Sequence, residues 1–225
     1  MSPSEITCWT IIEAAAKGER SAWDEFVRRY RPIIRAYLAA RWKRSRLREQ
    51  VDDGVQEVFL ECLRDQGPLQ RADAERAGSF KAYLYGIVRN IARRMEEKSR
   101  DWQREESASL HGVPANDTSL NTVFDRTWAR TLLKQAAQVQ ADKAAALGTV
   151  AQRRVELLKL RFTENRPIRE IARLWDLDAS YLHRQYTLAR QEFQDALRQV
   201  VLFHYPHSAR QVDQKCQELL AALRQ

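Results

Sequence analysis

Cysteine is scarce. Cys8, Cys62 and Cys216 are odd in number, far apart and never at a CxxC spacing, which argues against a disulfide framework or a zinc knuckle and suits a reducing compartment. Glycine and proline are also few, seven and six in 225 residues, and alternating β-branched runs are nearly absent. With long stretches rich in Ala, Leu, Glu, Arg and Gln, that composition predicts an all-α protein. No stretch approaches the ~20 apolar residues of a membrane span. The N-terminus has no basic segment followed by an apolar run, so neither secretion nor membrane insertion is expected, and the compartment read from the sequence is the cytoplasm. Catalytic constellations are missing too. His111, His183, His204 and His207 have no carboxylate or cysteine at ligand spacing; the one metal-binding combination worth weighing, His204 and His207 with Cys216, is a poor one. No GxxxxGK[ST] loop or GxSxG elbow occurs. No enzymatic activity, cofactor or metal is therefore expected.

What is present is charge. Thirty-eight Lys and Arg face 30 Asp and Glu, for a net charge of +8 and a pI near 9.6, so a polyanion is a candidate partner. The 44% hydrophobic content suffices for packed cores in one large domain or two small ones.

Residues Thr7 to Lys17 and Ser21 to Lys43 read as helices separated by Gly18, with Ser21 as a cap for the second and Pro32 able to bend it. From Arg28 to Arg48 there are nine basic residues and no acidic one; a solvated face and a contact surface for DNA phosphates or protein are both open readings. The sign then reverses. Arg48 to Gln66 holds two basic residues and six acidic ones, a net of −4. Within it, DDGVQEVFLECLR places Val55, Phe59, Leu60 and Leu63 at helical spacing, while Asp52, Asp53, Gln56 and Glu57 crowd the first turns, where carboxylates suit the helix dipole.

A Gly- and Pro-containing loop, Gln66 to Gly78, leads to FKAYLYGIVRNIARRM. Ser79 is its cap, and Phe80, Leu84, Ile87, Ile91 and Met95 make the inner face of a helix. The opposite face carries Tyr83, Arg89, Asn90, Arg93 and Arg94. Such basic groups hold phosphate, while an aromatic ring or an amide can stack on or read an unpaired base; the competing reading makes Tyr83 and Tyr85 groove-filling side chains. Residues 103–122, small, polar and helix-breaking, read as a flexible linker. A helix resumes over Val123 to Ala146 with Phe124, Trp128 and Leu132 on one face, and Val155 to Phe162 forms another. In RPIREIARLWDLDASYLHRQYTLARQEF, Ile168, Ile171, Ala172 and Trp175 face inward, Asp176 and Leu177 turn the chain, and Asp178 caps a second helix with Leu182, Tyr186, Ala189 and Phe193 inside. This is a helix-turn-helix pattern, whose second helix enters the major groove of DNA.

Two stretches carry a resemblance. Asp53, Val55, Gln56, Glu57, Val58 and Phe59, followed by Phe80, Leu84, Tyr85, Ile87, Arg89 and Asn90, resemble region 2 of bacterial RNA polymerase sigma factors of the extracytoplasmic-function class. Gly54 stands where that pattern usually has leucine, and Tyr83 where tryptophan is usual. Ile171, Ala172, Leu177, Leu182, Ala189 and Arg190 resemble sigma region 4, with Asp176 at a usual glycine.

The resemblance implies two small helical domains: residues 7–102, contacting core polymerase and the −10 element, and residues 123–203, a helix-turn-helix domain for the −35 element. A flexible linker over 103–122 joins them, passing through the polymerase, and the loop after the acidic helix helps capture a −10 base. The site residues implied are Asp52, Asp53, Gln56 and Glu57 for polymerase; Tyr83, Arg89, Asn90, Arg93 and Arg94 for −10 DNA; and Ser180, Tyr181, His183, Arg184, Thr187 and Arg190 for −35 DNA. Core RNA polymerase and promoter DNA are the implied partners, with an inhibitory anti-sigma protein or another regulator as a further candidate. The alternatives are a freestanding helix-turn-helix regulator and a helical protein-interaction module. Beyond the resemblance lies an extension, 204–225. There Pro206 breaks the preceding helix, Ser208 can cap a new one, and Val212, Cys216, Leu219, Leu220 and Leu223 form an apolar stripe. It is either a packing helix or a latch that covers a working face.

Overall fold

A computed structural model describes residues 7–72, 79–106 and 117–223. Among these residues there are α-helices and 3-10 turns and no strand, in agreement with the expected all-α class. In chain order the helices are α1 (Cys8–Ala16), α2 (Arg20–Arg41), α3 (Val51–Leu63), α4 (Phe80–Glu106), α5 (Asp117–Leu147), α6 (Thr149–Phe162), α7 (Ile168–Trp175), α8 (Ala179–His204) and α9 (Val212–Ala222). Thr7 and Thr10 cap α1 reciprocally, each hydroxyl accepting from the other's backbone N–H. The N-cap position of α2 is Glu19, so Ser21 lies inside the helix instead of capping it, and Pro32 sits mid-helix without ending it.

The larger buried cluster is aromatic. Phe26, Tyr30 and Tyr37 of α2 meet Phe80 of α4 and Phe124 and Trp128 of α5, all essentially without solvent exposure. Tyr30 stacks on Trp128 at 5.9 Å between ring centroids, and Phe80 lies 5.0 Å from Tyr30. α8 enters the same cluster through Ala196, Leu197, Val200 and Val201, and α9 through Leu219. The smaller cluster is local, built from Leu157 and Leu160 of α6, Ile168, Ile171 and Ala172 of α7, and Leu182 of α8.

Trp42 closes one end of the first cluster. Its indole is fully buried, donates to Glu96 Oε1 at 2.9 Å and lies over Gly54 of α3. A Cβ at Gly54 would stand 2.6 Å from two carbons of that ring. Glycine here lets a tryptophan reach the α3 backbone.

Two sequence expectations change. The segment 103–122 is helical at both described ends, 103–106 within α4 and 117–122 within α5; its middle, 107–116, lies outside the described residues. Leu120 is buried four residues before Phe124, so the apolar face of α5 begins before 123 and holds the helix there. The packing also runs across the boundary drawn at 123, since Phe124 and Trp128 share a core with Phe26 and Tyr30. Periodicity identified those faces as apolar but carried no information about which helix they meet. In the extension, a 3-10 turn, Pro206–Gln211, precedes α9. Leu219 is buried while Leu220 stays exposed, so the stripe that packs is narrower than the one read from sequence.

Candidate functional site

α3 buries Val51, Val55, Val58, Phe59 and Cys62. That set recurs every three or four residues and leaves Asp53, Gln56, Leu60 and Leu63, at offsets of three and four, along the outer face. Leu60 and Leu63 are 62% and 47% exposed. They were expected in the apolar face; one helical turn offers two overlapping periodic sets, and burial takes the set with Val58 and Cys62. Two leucines thus stand in solvent beside carboxylates on this face. Sequence reasoning missed them, and only the competition between the two periodic sets could have pointed to them.

The four polar candidates on α3 are not equivalent. Asp52 is paired with Arg35, whose Nε lies 3.1 Å from Oδ1, with Arg31 further out at 4.0 Å. Arg35's hydrogen bond holds the Asp52 carboxyl below its ordinary range. Asp53 and Gln56 are exposed and Glu57 is half-buried. Asp53 and Glu57 are therefore the charges that α3 offers outward, whereas Asp52 is engaged with α2.

α4 packs its Phe80, Leu84, Ile87, Val88, Ile91 and Ala92 inward. Ser79 Oγ accepts from Ala82 N–H at 3.3 Å, the cap expected of it. Asn90, Arg93 and Arg94 are exposed and Arg89 is half-buried. Tyr83 differs from its neighbours, because its hydroxyl donates to the Pro68 carbonyl at 2.5 Å and burial raises its pKa. It fastens the turn after α3 to α4. Residues 73–78 of the loop expected to capture a base lie outside the described residues. Arg94 Nη2 meets Glu61 of α3 at 3.1 Å, so the basic face of α4 and the acidic face of α3 adjoin along one edge.

On α8 the six candidates Ser180, Tyr181, His183, Arg184, Thr187 and Arg190 are all exposed, and the 180, 183, 184 and 187 positions share one side of the helix. Asp178 caps this end, accepting from Tyr181 N–H at 2.7 Å, and Asp176 makes the turn in the left-handed region at φ 51°. Aspartate tolerates that conformation better than most residues, which explains how it can stand in place of glycine. Behind the exposed face, Arg154 of α6 pairs with Glu192 at 2.6 Å, and Gln140 of α5 donates to the Ala189 carbonyl at 3.0 Å. These bonds tie α8 to α6 and α5. Tyr186, expected inside, is half-buried and lies under Arg190 with the guanidinium 5.8 Å from its ring.

Of the two buried polar side chains among the described residues, Gln140 and His204, the histidine lies in the aromatic core. Its Nε2 lies 3.1 Å from Gln135 Oε1, an oxygen that also accepts from Arg29 at 2.9 Å, so α2, α5 and α8 are tied in one chain of bonds. Burial first, and the nearby Arg29 charge second, push the imidazole down to about 3, which keeps it neutral. Enclosed by the Tyr30, Trp128 and Phe203 rings, it is a structural group and no ligand. Among the described residues no group of three or more His, Cys, Asp or Glu is placed to hold a metal ion. None of the described helices is long and apolar enough to cross a membrane.

α2, α3 and α4 thus carry an acidic, partly apolar stripe beside a basic one. Residues 26–101 match the family model of Sigma-70 region 2. The match covers about a third of the chain, contains α3 and most of α2 and α4, and supports a sigma-70 family factor. Sigma-70 family factors are non-enzymatic transcription initiation factors, which accords with a chain read as lacking catalytic residues. No curated protein matches the chain.

Proposed function

We propose that the protein is a sigma subunit of the extracytoplasmic-function class, working in the cytoplasm, which binds core RNA polymerase and directs it to promoters. The region 2 match over 26–101, with the adjoining acidic and basic faces inside it, is the observation that carries this reading. Asp53, Gln56 and Glu57, with the exposed Leu60 and Leu63, dock on the polymerase, while Asp52 braces α3 against Arg35. Asn90, Arg93 and Arg94, with Arg89 behind them, hold the opening −10 strand. Tyr83 supports the turn beside it through Pro68. α7 and α8 act as the helix-turn-helix, with Ser180, Tyr181, His183, Arg184, Thr187 and Arg190 facing the −35 duplex. An anti-sigma protein or another regulator would act by covering one of these faces. Chemistry on the nucleotides belongs to the polymerase.

The test is capture of core polymerase by the full chain, followed by transcription from genomic fragments. Reversal of Asp53 and Glu57 to Lys should abolish capture while helicity is unchanged, because like charges set opposite each other at an interface are costly. Capture at wild-type affinity by that variant would remove the role given to α3. Specific duplex binding without any polymerase association would instead favour the freestanding regulator.

A further inference from the structure

The nine basic residues between Arg28 and Arg48 fall into two groups. Arg28 and Arg29 pair with Glu25, Arg31 and Arg35 with Asp52, and Arg41 with Glu96. The remaining four, Lys43, Arg44, Arg46 and Arg48, are exposed, and none of them is ion-paired among the described residues. They sit together on the turn between α2 and α3, where with Ser45 and Glu49 they line an open depression of about 490 Å³. Four cations against one carboxylate give this turn a strong local positive potential.

The turn is also anchored on both sides. Trp42 is clamped at its start by Glu96 and Gly54, Leu47 is buried in the middle, and Ser45 Oγ accepts from Leu47 N–H at 3.2 Å to begin the 3-10 turn Arg46–Gln50. Holding like charges together on a fixed backbone costs free energy, which an anion in the depression would relieve. The chemistry selects the anion. Three of the four cations are arginines, whose planar forks match phosphate oxygens bidentately. No aromatic side chain is exposed on the turn, since Trp42 is fully buried, so it has no platform for stacking unpaired bases. No apolar tip projects that could enter a lipid surface, because Leu47 also points inward.

We propose that Lys43, Arg44, Arg46 and Arg48 form a sequence-independent site for the phosphate backbone of duplex DNA, separate from the reading faces of α4 and α8. It gives the protein a second electrostatic hold on DNA, which sets affinity and salt dependence and leaves sequence preference untouched. The site rests on the sigma-subunit reading for its biological setting, but its test does not need that reading.

The full chain with Lys43, Arg44, Arg46 and Arg48 all changed to Gln is compared with wild type in two measurements. The first is affinity for a random-sequence duplex across a salt series, by fluorescence anisotropy; the second is capture of core polymerase. Each phosphate contact contributes about 0.9 to the slope of log affinity against log salt, so the slope should fall in magnitude by about 2–4. Core capture should be unchanged, and the slope should fall equally on a promoter duplex. An unchanged slope overturns the site, including the case in which polymerase capture alone is lost, which would make the turn a protein-docking surface. If the fourfold variant melts abnormally, Arg44→Gln with Arg46→Gln serves instead, with about half the fall expected and an unchanged slope again fatal. Failure of the wild-type chain to capture polymerase would count against the sigma reading alone.

Discussion

Gly54→Ala offers a demanding test of how α2 and α3 fit together. In an open helix the change stabilises, since alanine exceeds glycine by about 1 kcal/mol in the helix interior. Here the new methyl carbon would stand 2.6 Å from two ring carbons of Trp42 and 3.1 Å from a Leu38 methyl. The indole has nowhere to retreat, because it is fully buried and its Nε1 is bonded to Glu96, which also takes both a 2.6 Å and a 3.0 Å bond from Arg41. Overpacking of this kind costs about 1–3 kcal/mol, and the rigidity of the ring puts this site in the upper half of that range. The net expectation is destabilisation by about 1–2 kcal/mol, or about 2–8 °C in Tm for a chain of this size. Far-UV circular dichroism melts measure it. Trp42→Phe removes the two carbons that clash, so in that background Gly54→Ala should recover the helix-propensity gain and raise Tm. A rise in Tm from Gly54→Ala in the wild-type background, or an equal fall in both backgrounds, would refute the reasoning.

His183→Ala and Arg184→Ala should weaken −35-dependent transcription by about 1–3 kcal/mol per lost base contact while polymerase capture stays normal. Arg93→Ala should reduce transcription alike on all promoters; Arg94→Ala should add a small loss of stability from its Glu61 pair, and identical promoter profiles for all four variants would defeat the division. His204 has a folded pKa near 3 against an unfolded value of 6.5, so its contribution is fully present above 6.5 and is lost as pH falls below it, by up to about 1.4 kcal/mol per pH unit. Urea unfolding between pH 6.5 and 5, before ordinary carboxylates begin to protonate, should show that slope in wild type and lack it in His204→Gln. Deleting Ser208 to Gln225 should lower Tm, because it exposes the site of Leu219, worth about 1.5–3 kcal/mol, and removes the 2.7 Å Arg198–Asp213 pair. A normal melt with increased transcription would identify the extension as a latch instead.

The helices of the matched region, and the start of α8, were legible because caps and periodicity agree there. Ser79 and Asp178 bond as their sequence positions suggest, and Phe80, Leu84 and Ile87 face the core. Faces that satisfy two periodicities were not legible. Leu60 and Leu63 fit a helical stripe as well as Val55 and Phe59 do, and only the position of α2 decides between them. The contact of Trp128 with Tyr30 was equally invisible, since two apolar stripes about a hundred residues apart carry no record of each other. The outward placement of the six α8 candidates was legible for the opposite reason: Leu182 and Ala189 are buried and leave one face free.

If α8 faces the −35 duplex as proposed, it has a consequence for promoter geometry. It runs unbroken from the exposed His183 to the buried His204, about 30 Å at 1.5 Å per residue, and has no hinge in between. Its outer end is therefore keyed to the core like the tooth of a gauge. A helical turn of DNA takes about 10 base pairs, so lengthening a promoter spacer by one pair turns the −35 groove by roughly 35°. A protein held this way should demand one spacer length and tolerate neighbouring ones poorly. Inserting one residue between Ala189 and Ala196 turns the outer end by about 100°, which no change of a single base pair could match.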